Sequence, residues 1–145
     1  MQHHVKRIGL LYGITAILFF LIDLIWIAVP AKDFYAATIG GMLRDSVVWP
    51  AALVFYLMYA GGVVLFVLVP ALSSGQGIRY VAVRGGLLGL FAYGTFDLTA
   101  LALLKGWPII VTVVDMAWGT LLTAGAASGS LWVAQRILQP DGLSR

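Results

Sequence analysis

YGTFDLTALALLKGWPIIVTVVDMAWG, residues 93–119, sets two carboxylates, Asp97 and Asp115, inside apolar runs on either side of Lys105, Gly106, Trp107 and Pro108. A charge at the centre of a membrane helix costs roughly 2.5–3.5 kcal/mol on insertion scales, so intramembrane acids usually have a purpose. The stretch reads as two helices crossing a bilayer, joined by a tight polar turn. The rest of the chain follows the same pattern. Of its 145 residues, 61% are hydrophobic and 10% are charged, against about 25% charged in a soluble domain. This balance excludes an ordinary soluble globule and fits about four spans of roughly 20 residues. A single transmembrane domain, residues 1–145, is expected.

The chain has no cysteine, so thiolate and disulfide chemistry are excluded. It has no Glu, and all six acids are Asp. The net charge of +3 matters through its distribution over loops. Without a clustered Lys/Arg tract or a zinc spacing, nothing points to nucleic acid. His3 and His4 could bind a metal, but two adjacent histidines in a short basic start more often do nothing specific. No metal and no cofactor are expected.

Working outward, the spans are expected at about 8–29, 47–69, 80–104 and 108–137. The first could be read as a cleaved signal peptide, but its apolar run exceeds the usual 7–15 residues and contains Asp23. Pro30 marks its end, because the residue before proline avoids helical geometry. Residues 31–46, AKDFYAATIGGMLRDS, show a weak amphipathic pattern and read as a short interfacial segment or as a loop with aromatic anchors. Trp49-Pro50 opens the second span, where proline costs little, and Pro70 is expected to end it. Gly85, Gly86, Gly89 and Gly94 enrich the third span, and Gly125 and Gly129 form a small-xxx-small pair in the fourth. Such residues let helices approach closely, within one chain first and in a homo-oligomer second. Residues after Gln139 read as a polar tail. The fold class is therefore an all-α integral membrane four-helix bundle with a short interfacial segment between the first two spans.

Basic residues set the orientation. Lys6, Arg7, Arg79, Arg136 and Arg145, with Arg84 able to snorkel, share one side. Lys32, Arg44 and Lys105 lie on the other, the first two offset by Asp33 and Asp45. The positive-inside rule then puts both termini in the cytoplasm, with a bacterial inner membrane as the expected location.

Depth counted from the outer boundary gathers the polar residues. Asp23, Tyr56, Asp97 and Asp115 each fall roughly 10 Å below it, at 1.5 Å per helical residue. Tyr93 shares a helix face with Asp97, and Lys105 sits at the mouth with a stem able to reach down. Trp26 and Trp118 each follow an Asp by three residues, a repeated D-x-x-W, and with Thr95 and Thr99 are expected to line the layer. Trp49, Trp107 and Tyr35 read as interfacial belt residues. Three carboxylates beside one lysine cannot all ionise cheaply in a low dielectric, so at least one proton is expected to be retained or shared. The leading reading is a component that binds or transports a small molecule, proton or cation and has the lipid bilayer as its partner. One alternative is a structural or accessory subunit whose layer only fixes packing. Another is a lipid-modifying enzyme with Asp as base and Lys105 holding a head group. No Ser-His-Asp set or phosphate loop is present, which argues against an enzyme.

The run Tyr93, Asp97, Thr99, Lys105, Trp107, Pro108, Asp115 and Trp118, together with Asp23/Trp26 and YLMYAGGVVLFVLVPAL, resembles a family of small bacterial predicted membrane proteins described only as a domain of unknown function. The resemblance extends from about Asp23 through Trp118. It implies a membrane fold and supplies no activity, substrate or cofactor.

Overall fold

The structure, a computed structural model, describes residues 2–138, with side chains from residue 6 to residue 137. The side chains of His3 and His4, and the segment after Gln139, lie outside what is described. Four helices are long and apolar enough to cross a membrane: Lys6–Ala28, Trp49–Ser73, Ile78–Leu103 and Ile109–Ile137. They are called spans 1 to 4. No strand occurs among the described residues. The bundle is all-α, as the composition and run lengths imply.

Span 1 ends ahead of Pro30, where the Ala31 amide reaches back to the Trp26 carbonyl at 3.0 Å. The chain then turns into a short helix, Lys32–Ile39, and a 3₁₀ turn, Gly40–Met42. This is the interfacial segment, and its first contact with the bundle is Ala31, only 1% exposed. Pro50 sits in the first turn of span 2, where a missing N–H leaves no helical bond unmade.

Span 2 does not stop before Pro70. Val64–Leu68 form one turn of π-helix, in which the Val69 amide bonds to the Val64 carbonyl, and the helix continues through Pro70 to Ser73. Proline removes an amide donor and crowds the carbonyl one turn back. A widened turn just ahead of it absorbs both effects, so the helix survives where a break is expected. Gly75 and Gly106 occupy the turns between spans 2 and 3 and between spans 3 and 4 with φ of +63° and +80°, a conformation only glycine adopts cheaply.

Spans 3 and 4 form the tightest pair. A Cβ on Gly85 would lie 3.0 Å from the Thr123 carbonyl oxygen, and one on Gly89 would collide with the Gly119 carbonyl. A Cβ on Gly119 would in turn enter the Tyr93 ring. These glycines, with Gly129 against Leu18, pack helices within the chain. Gly125 faces open space.

Below the acids, toward the chain termini, an apolar core joins Leu11, Val63, Val64, Val67, Leu68, Ala71, Val81 and Leu131. A second cluster of Phe19, Leu122 and Ala126, with Tyr59 and Tyr93 against it, lies immediately under the acids. Large apolar side chains such as Ile25, Met58, Phe66, Phe91 and Leu103 cover the outside, as a lipid-facing surface requires.

Gly89→Ala should lower the thermal midpoint in detergent, since overpacking a tight contact costs about 1–3 kcal/mol. Gly125→Ala should not lower it. Equal effects from the two would contradict the hairpin geometry.

A candidate functional site in the acid layer

All four spans and the short helix each bring an acid or its partner to one level. On span 1, Phe19, Asp23 and Trp26 fall on one face, being four and three residues apart. Phe19 is fully buried in the core and Asp23 is 6% exposed. On span 4, Asp115, Trp118, Gly119 and Leu122 repeat that arrangement. Gly89, Tyr93, Asp97 and Ala100 do so on span 3, where Asp97 is 1% exposed. Span 2 contributes Tyr56 and Tyr59.

The layer consists of two linked groups. In the first, Asp23 is fully satisfied. Its Oδ2 accepts from the Tyr56 hydroxyl at 2.7 Å and its Oδ1 from the Trp118 indole N–H at 3.0 Å. In the second, Asp115 accepts a short hydrogen bond from the Tyr35 hydroxyl and lies beside the Asp97 carboxyl. Both Asp97 oxygens are buried, and neither receives an N–H or O–H from any described residue. The two groups meet at the tryptophans. The Trp26 and Trp118 rings stack at 4.3 Å and 12°, and the Trp26 N–H points to the Tyr35 oxygen at 3.4 Å. The repeated D-x-x-W thus interlocks. Trp118 serves Asp23 directly, and Trp26 approaches Asp115 through Tyr35.

Tyr35 lies outside the spans. Burial, reinforced by donation to Asp115, pushes its phenol far above the ordinary range. It therefore remains a neutral donor at any ordinary pH. Tyr59 bonds to Thr123 at 2.8 Å and closes the floor. Tyr93 packs edge-on to Tyr59 at 6.4 Å and over Gly119, contributing shape to the layer.

Three expected members stand apart. Lys105 is exposed in the turn between spans 3 and 4, just after the extended backbone at Leu104. Thr95 is exposed and donates to the Phe91 carbonyl of its own helix at 2.6 Å. Thr99 is exposed as well. Two positions either side of Asp97 correspond to about 200° around a helix, so both threonines face lipid while Asp97 faces inward.

Two belt residues have inward roles instead. Tyr35 reaches Asp115, and the Trp107 N–H donates to Thr112 at 3.1 Å. The Thr112 hydroxyl faces the Asp97 main-chain carbonyl at 3.4 Å. The amphipathic tendency of residues 31–46 marked Tyr35 as an anchor. Nothing in that pattern specified a bond to an acid 80 residues later.

Chemically, the second group is a carboxyl pair that can hold a proton or a small cation between its oxygens. Every described Lys and Arg is exposed, so no fixed cation neutralises it. Four apolar helices around such a layer define a multi-pass integral membrane protein. The chain belongs to the family described as Predicted membrane protein (DUF2177), which matches residues 8–132. No curated protein and no solved structure matches it.

Trp118→Phe should strip one donor from Asp23 and cost about 1–3 kcal/mol, the range for leaving a buried acceptor unmet. Thermal unfolding in detergent measures this. Thr95→Val, on the lipid face, should leave the midpoint unchanged.

Proposed function

We propose that this protein binds a small ligand, a proton or cation, at the Asp97–Asp115 pair in the outer half of the membrane, as a binding or transport component of the bacterial inner membrane. The observation that carries this reading is Asp97, whose two buried oxygens have no donor and which faces a second carboxyl. A structure built only for packing gains nothing from an unsatisfied buried acid, and such a group is costly unless something neutralises it. Intramembrane acids that face the bundle interior commonly mark ion and proton paths.

Asp23 supports a second, narrower reading for its own half of the layer. With both oxygens bonded by neutral side chains, it fastens spans 1, 2 and 4 together and needs no ligand. The packing role and the binding role are thus divided between different acids. No comparable observation favours a lipid-modifying enzyme: Lys105, its proposed head-group anchor, is exposed and makes no ion pair with the acids among the described residues.

In the orientation we propose, both chain ends and the 74–77 turn face the cytoplasm. The exposed Lys6, Arg7, Arg79, Arg84 and Arg136 gather at that end of the bundle. Arg84 and Arg136 lie over the Tyr80 and Trp132 rings at 5.3 Å each, as cationic side chains do near an interface.

Asp97→Asn tests the binding reading. Asparagine supplies the missing donor, so the variant should fold and melt at or above the wild-type temperature. The wild type should lose stability as pH rises, because its native state holds a proton that the unfolded chain releases; the variant should lose this dependence. An Asp97→Asn protein that unfolds, or a wild type whose melting ignores both pH and added cations, would refute the reading. The orientation has its own test. The chain lacks cysteine, so Gly75→Cys gives a unique label, expected to react only from the cytoplasmic face.

A further inference from the structure

The centre of Asp97 and Asp115 has three properties that narrow its ligand. First, Asp97 and Asp115 are neighbouring carboxyls, and Asp97 is 1% exposed with both oxygens buried, a setting poorly suited to an organic ammonium or a hydrated ion. Second, calcium takes six to eight oxygen ligands, and magnesium keeps several waters in near-octahedral geometry. The described residues contain no cluster of three or more His, Cys, Asp or Glu. Third, the groups facing the pair from every neighbouring element are acidic or neutral. Tyr35 from the short helix and Asp23 from span 1 stand beside Asp115, as does Tyr93 from span 3, with Tyr56 and Tyr59 of span 2 next to Tyr93. Asp23, Tyr56 and Tyr59 are already committed to other bonds. Asp97, 1% exposed and without a donor, is aimed into this centre.

A single proton answers all three conditions. Carried by Asp97, it makes that carboxyl a donor to Asp115, and it lowers the charge of the pair from −2 to −1. Asp115 then remains an ionised acceptor for Tyr35, the stronger form of that bond. When the proton leaves, the Asp97 acid becomes a carboxylate and outer water takes the proton. The pair is then left with two adjoining negative charges.

The short helix is placed to control that exchange. Eight residues make a marginal helix on their own. Both side-chain hydrogen bonds that tie it to the spans, from Trp26 and to Asp115, pass through the Tyr35 hydroxyl. We propose that the exchangeable ligand of this centre is one proton shared by Asp97 and Asp115, and that Tyr35, as a positioning residue, latches the Lys32–Ile39 helix over it against outer water. This rests on the binding reading above and specifies its ligand and its gate.

The full chain in lipid nanodiscs, followed by difference infrared spectroscopy, tests both parts. The wild type should show a carboxylic-acid carbonyl band at neutral pH that disappears on alkaline titration. The band should be absent from Asp97→Asn and from Asp115→Asn, where the amide replaces the shared proton as donor. Its titration midpoint should be the same in sodium, lithium and potassium. In Tyr35→Phe the band should persist but exchange with deuterium about tenfold or more faster, the scale of losing one hydrogen bond to a charged group. Trp26→Phe, which removes the other bond to Tyr35, should also accelerate exchange and serves if Tyr35→Phe does not fold. A band that survives both Asn substitutions, or none at all, overturns the shared proton. A midpoint that moves with sodium or lithium assigns the site to a metal cation and overturns the proton, while leaving the binding reading intact. Unchanged exchange in the two aromatic variants overturns the latch.

Discussion

A carboxyl group with no donor, held where water cannot hydrate it, is the constraint on which this structure turns. In hydrocarbon every polar group must find its partner within the protein. Asp23 meets that demand through Tyr56 and Trp118. Asp97 does not, and another acid, Asp115, stands beside it. Among the described residues no basic side chain reaches the pair, so in the reading proposed above a bound proton or cation neutralises it. That requirement is what would distinguish a binding site from a packing layer.

The remainder of the fold holds the pair in place. Asp97 and Asp115 approach because spans 3 and 4 approach, and those spans approach because Gly85, Gly89 and Gly119 carry no Cβ. The Phe19, Leu122 and Ala126 cluster seals the pair from below. The stacked Trp26 and Trp118 rings join Asp23 to the Tyr35–Asp115 side of the layer. Span 2 keeps its length past Pro70 through one widened turn, so its apolar face still lines the inner core while Tyr56 and Tyr59 stay level with the acids.

Much of this was legible in the sequence, for physical reasons. Apolar run length against bilayer thickness identified four spans. Residue counting from a common boundary put Asp23, Tyr56, Asp97 and Asp115 at similar depth, because helical rise is constant. Rotation about each helix axis was harder to read. Helical periodicity alone would have turned Thr95 and Thr99 away from Asp97, whereas their polarity drew them toward it. Lys105 was assigned by the reach of its stem, yet backbone direction at the helix end decides where a long side chain goes. Tyr35 depended on a chain reversal after Pro30 that no periodic pattern encodes. The π turn before Pro70 had no signal beyond the proline itself.

The separation between the Asp97 and Asp115 carboxyl groups, measured in the protein embedded in a bilayer at neutral pH, bears on the central claim most directly. Oxygens about 2.5–2.7 Å apart, the length of a bond in which an acid donates to a carboxylate, with no basic side chain between them, are the predicted result. Carboxyls held apart by ordered water, or bridged by the Lys105 ammonium, would contradict it.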